Sequence, residues 1–213
     1  MLNNNPSINP ANEDSLTGSF RHIFGKLLQD VNGMLPAQVI AYDRTKNLVL
    51  VQPLIMMVTT EGENIQRAQI ASIPVLQIGG GNFLINFNLN TGDLGWILAN
   101  DRDISNFLST FKQSAPNTFR KNNFADSLFI PNVLTNYNIA GEDSGNAVFQ
   151  STDGTVKISL GTNKIKIAAE NVEIDCTNAV VNSTAPMIVT TPIFAVAGNI
   201  TASGTITPDT PPP

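Results

Sequence analysis

The sequence predicts a mainly β protein: an N-terminal helix and a five-stranded OB-fold barrel, followed by an intertwined triple-stranded β-helix in a homotrimer. Three observations carry this expectation. Apolar residues recur at helical spacing between residues 16 and 35, and β-branched runs joined by short polar loops follow between 37 and 98. After residue 156 a seven-residue repeat sets in, with apolar residues standing two apart.

The helix rests on Leu16, Phe20, Ile23, Phe24, Leu27, Leu28, Val31 and Leu35, spaced by three, four and one. Asp14 or Ser15 can cap its start, and Gly33 with Pro36 can end it. Gly18 and Gly25 weaken it, so its apolar stripe is expected to dock on the chain's own core, with a partner-binding helix as the alternative. We assign 13–36 to this helix, and 1–12, rich in Asn and Pro, to a flexible arm.

The runs AQVIAY (37–42), LVLVQPLIMMV (48–58), QIASIPVLQI (69–78), FLINF (83–87) and LGWIL (94–98) read as the barrel strands. Pro53 and Pro74 interrupt two of them, which calls for edges or bulges at those points. DRDISNFLSTF (101–111) reads as a short helix closing the barrel region, 37–111. Residues 112–149, punctuated by Pro and Gly, read as a connector with the apolar segment FADSLFIPN embedded in it.

The segment 150–208 carries the repeat. Val156, Ile158 and Leu160 alternate; then Ile165, Val172, Ala179, Pro186, Ile193 and Ile200 share one position, with Ile167, Ile174, Val181, Ile188, Ala195 and Ala202 two residues later. Apolar pairs two apart define one face of a strand, whereas a coiled coil needs a spacing of three. A lone chain of such strands would expose both edges. Three chains winding round one axis would pair every edge and turn Ile158, Ile165, Ile167, Val172, Ile174, Val181, Ile188, Ile193 and Ile200 inward. A single-chain left-handed solenoid and ordinary hairpins are the alternatives. Residues 209–213 form a Pro-rich tip.

Composition narrows the chemistry. With 12 basic and 17 acidic side chains the net charge is −5, and no basic run offsets it, so no nucleic-acid partner is expected. One cysteine, Cys176, excludes an intrachain disulfide, and one histidine, His22, excludes the common His/Cys zinc sites. No apolar run approaches the roughly 20 residues of a membrane-spanning helix, and the first residues lack the pattern of a secretory signal, so synthesis in the cytoplasm is expected. Gly79-Gly80-Gly81 has no Lys-Ser/Thr after it and reads as a hairpin loop. Asp93, Asp101 and Asp103 could hold a divalent cation, yet they read better as turn and helix-start residues. His22 falls on the solvated side of its helix, Cys176 reads as a small inward apolar residue, and Trp96 reads most simply as core, with the stacking surface of a single-strand-binding barrel as the alternative.

Three stretches carry a resemblance. LPAQVIAYDRTKNLVLVQPLI, IPVLQIGGGNFLINFNLNTGDLGWILANDRDISNF and FRKNNFADSLFIPN, all within 35–132, resemble in order and spacing the central spike proteins of contractile phage tails. The resemblance implies a virion protein of the tail baseplate: a homotrimer whose barrels grip the hub and tail tube proteins. When the sheath contracts, its β-helix is driven through the bacterial outer membrane. Such work is mechanical, so neither catalytic residues nor a cofactor is expected. Many relatives end in a His-x-His pair that holds iron. This chain has no His after residue 22, so no iron is expected, and either the Pro-rich end or a separate tip protein forms the point. The rival functions are a trimeric tail fibre or adhesin that binds a cell-surface receptor, and a single-strand nucleic-acid OB protein.

Overall fold

A computed structural model describes residues 16–29, 31–59, 62–191, 193–199, 201 and 203. The arm 1–12, the capping residues Asp14 and Ser15, the repeat positions Ile200 and Ala202 and the tip 209–213 lie outside the described residues. The elements are α1 (Leu16–Gln29), β1 (Met34–Asp43), β2 (Leu48–Pro53), β3 (Met57–Val58), β4 (Asn64–Ile65), β5 (Ile70–Pro74), β6 (Ile78–Gly80), β7 (Phe83–Ile85) and β8 (Leu94–Asn100). After these come α2 (Ser105–Thr110), β9 (Asn123–Pro131), a 3-10 turn at Gly141–Asp143, β10 (Ala147–Gln150), β11 (Lys157–Leu160) and β12 (Ile165–Ala168). The chain divides into two units, 1–170 and 171–213.

The main sheet runs β5-β2-β1-β8-β9, with antiparallel neighbours throughout. It closes on itself where Val75 meets Phe129 in parallel and the Leu76 N–H donates to the Phe129 carbonyl at 2.8 Å. The result is a nearly closed five-stranded barrel, partly open as OB-folds are. Alternate residues point inward: Ala37 and Val39, Val49 and Val51, Ile73, Val75, Ile97, Phe124 and Phe129 form the core. Bulges bend the strands, one at Ile40 in β1 and one in β5 where Ser72 takes φ 60°. The two prolines close β2 and β5 at their ends, where no ladder N–H is needed.

Four expectations need correction. The fifth barrel strand is β9, from the segment read as connector; FLINF instead folds back on β6 in a hairpin outside the barrel. Both stretches are apolar; what distinguishes β9 is its ladder with β8, its core residues Phe124 and Phe129, and the closing contact with residues 75–76. The 48–58 run stops at Pro53 and resumes as the separate pair β3-β4. Leu35 belongs to β1, not the helix, and packs against the barrel core. The stripe of α1 does not dock on the chain's own core: Phe24 is 61 % exposed and Leu27 63 %.

A network of ions and hydroxyls holds residues 112–122 against the barrel. The Asp103 carboxylate accepts hydrogen bonds from Ser105 N–H and Oγ, Thr118 Oγ1 (2.6 Å) and Arg120 Nη2 (3.2 Å). Arg120 also clasps Asp126 of β9 with two nitrogens, at 3.0 and 3.1 Å. These donors hold Asp103 well below the usual carboxylate range, with the Ser105 and Thr118 hydroxyls contributing most.

In the second unit the described residues form no helix or strand. Short side-chain turns shape the path, such as Thr191 Oγ1 donating to the Ile193 carbonyl at 2.9 Å.

Candidate assembly surface

The sheet of β10, β11 and β12 is built from three short alternating stretches, AVFQ, KISL and IKIA. Asp153 organises the first turn by accepting from Ser151 Oγ, Thr155 N–H and Thr155 Oγ1, and Gly154 supplies the φ of 76° that the turn demands. The Gly161 N–H donates to the Lys164 carbonyl at 2.8 Å across the second. Register then decides which side chains share a face. Ala147, Leu160 and Ile165 line up across the strands, as do Phe149, Ile158 and Ile167.

That apolar face is the outward one. Phe149 is 61 % exposed, Ile165 71 % and Ile167 61 %, with Ile158 and Leu160 also open. The opposite face, with Lys157 and Ser159, is covered. There Lys157 pairs with Asp143 and, at 3.0 Å, with Glu142, while Ser159 Oγ donates to Asp143 at 2.6 Å and Asn146 donates to Ser159 Oγ at 2.9 Å. Lys166 reaches Glu142 at 2.7 Å. The Lys157 ammonium, then the Ser159 hydroxyl, draws the Asp143 carboxyl down to about 2; the same pairing raises Lys157, and the two lysines lower Glu142.

A half-exposed sheet ordinarily turns its apolar side to the core and its polar side to water. Here the order is inverted, and the buried network fixes the inversion, because turning the sheet over would break every one of these contacts. Phe87, after β7, reaches Phe149 with ring centroids 6.5 Å apart. The rest of the face is uncovered.

Of the residues assigned to the shared axis, Ile158, Ile165 and Ile167 come together on this one face. Val172, Ile174, Val181, Ile188 and Ile193 are exposed in the second unit, and Ile200 is outside the described residues. Phe149 joins the face and escaped sequence reading. It lies before the repeat begins, and its only signal is the alternation of Ala147 and Phe149.

The remaining candidates are dispersed. Asp93 accepts from the Asn90 N–H at 2.7 Å in a turn, Asp101 is an exposed partner of Arg102, and Asp103 belongs to the Arg120 network. Arg120 is the partner that sequence reading of the aspartates missed. Among the described residues no group of three or more His, Cys, Asp or Glu could hold a metal ion. Gly81, with φ 61°, opens the two-residue turn of the β6-β7 hairpin, as its loop reading required. Trp96 is not core: Gly95 and Ile97 point inward, which places Trp96 half-buried on the outer face of β8. Cys176 is exposed.

Barrel and sheet together describe a mainly β protein with an exposed apolar sheet face. Residues 35–132, from the first barrel strand to just beyond the last, match the family model of the phage protein Gp138 N-terminal domain. The match supports a phage structural protein and a place in the virion. No curated protein matches the chain.

Proposed function

We propose that this protein is the central spike of a contractile phage tail baseplate, a homotrimer that punctures the bacterial outer membrane mechanically when the sheath contracts. The inverted sheet carries the reading. Its apolar face is formed and held outward in one chain, and three chains meeting round an axis would cover it without any change of register. The exposed aliphatic positions of the repeat continue the same chemistry along the sequence, and no charge falls between Cys176 and Pro208. An uncharged leading stretch suits brief passage through a bilayer, where charges are costly.

In this reading the barrels join the hub and tail tube proteins, the tip is either the Pro-rich end or a separate protein, and neither catalysis nor a cofactor takes part. The match over the barrel supports the phage setting. Light scattering, paired with an unheated SDS gel, tests the proposal. A mass of three 22.8 kDa chains that survives SDS is expected, and a monomer would overturn it.

A further inference from the structure

We infer that α1 is a self-association element, whose apolar seam packs against α1 of other copies of this chain; the inference rests on the trimer reading and adds to it a second contact, N-terminal to the barrel. Leu16, Phe20, Ile23 and Leu27 follow one another at intervals of four, three and four. That is a left-handed coiled-coil seam, with Leu16 and Ile23 at d and Phe20 and Leu27 at a. Within it Leu27 at a with Ile23 at d is the pairing that disfavours two strands and favours three or four.

All four side chains are more than half exposed, as are the flanking Phe24 and Leu28. At roughly 100 Å² apiece the stripe presents on the order of 600 Å². That is the upper end of what a monomer leaves open, about 300–600 Å², and it approaches the roughly 800 Å² that each partner gives to a stable interface. The helix also needs a partner. It has 14 residues with Gly18 and Gly25 within them, and helices near that length are marginal alone even without glycine. Both glycines fall at position f, opposite the seam, where they leave the contact intact. Arg21, His22 and Lys26 lie off the seam, so like charges need not be buried when copies meet.

The full chain with Cys176→Ser tests this, carrying either Ile23→Cys on the seam or Arg21→Cys off it. Each is mildly oxidised and run on a denaturing gel without reductant, with native mass measured in parallel. Seam cysteines facing one another form disulfides at helix-packing distance. The expected result is several-fold more crosslinked dimer for Ile23→Cys than for Arg21→Cys, at unchanged trimer mass. A trimer that crosslinks equally or not at all overturns the helix contact, assigns the stripe to another occupant and leaves the spike reading standing. A monomer without crosslinks overturns both. A dimer with preferential crosslinking keeps the helix contact and overturns the trimer.

Discussion

Lys157 and Asp143 show how single side chains set the polarity of an element. A carboxylate drawn down to about 2 adds stability that is present above the ordinary Asp value near 3.9 and is lost as pH falls through the interval to about 2. Lys157 works in the opposite sense: its raised value adds stability that persists up to the ordinary Lys range and is lost only at still higher pH. Asp143→Asn should therefore lower the melting temperature at pH 7 and shrink the loss between pH 4 and 2; thermal melts across that range check it, and an unchanged acid profile would sink the assignment. In the barrel, Phe129 is fully buried, and Phe129→Ala should cost about 3–5 kcal/mol in a denaturant titration. Gly95 faces Phe129 so closely that a Cβ would stand 2.5 Å from the Ile130 carbonyl oxygen. Gly95→Ala should thus disturb β8-β9 pairing and destabilise the barrel, and equal stability in the same titration would show the strands can part.

The elements divide by how much of their environment is local. β1, β2 and β8 alternate clearly and were legible. The exchange of β9 for FLINF was not, because both stretches are apolar and only long-range pairing, with β8 and at the closure between residues 75–76 and 129, selects one of them. The stripe of α1 was legible as a helix, while the exposure of its apolar side chains was not. That Ile158, Ile165 and Ile167 share one strand face could be foreseen from their spacing, but the polar network covering the reverse side of the sheet could not. Ile158→Asp or Ile167→Asp should dissociate the oligomer while leaving barrel stability unchanged, because the substituted side chains face outward. Analytical ultracentrifugation reads the first and a melt of the barrel the second; an intact trimer would show that this face is not the contact.

At the scale of the whole molecule, the proposed trimer should owe its persistence to kinetics. A needle whose three chains pair one another has no free edge to peel and should unfold very slowly. Ile174→Asp with Ile188→Asp should remove SDS resistance on an unheated gel, and a retained trimer band would refute their inward place. What the sequence determined by itself is what depends on near neighbours: periodicity, the alternation of the strands, the hairpin loop at Gly81, and the seven-residue repeat, uncharged after Cys176. The tertiary structure alone decided which strand closes the barrel, that Arg120 joins Asp103 to Asp126, and that the last sheet hides its polar side. Each of those depends on residues distant in sequence whose charges or shapes fit only after the chain has turned back on itself, and no spacing along the chain records that fit.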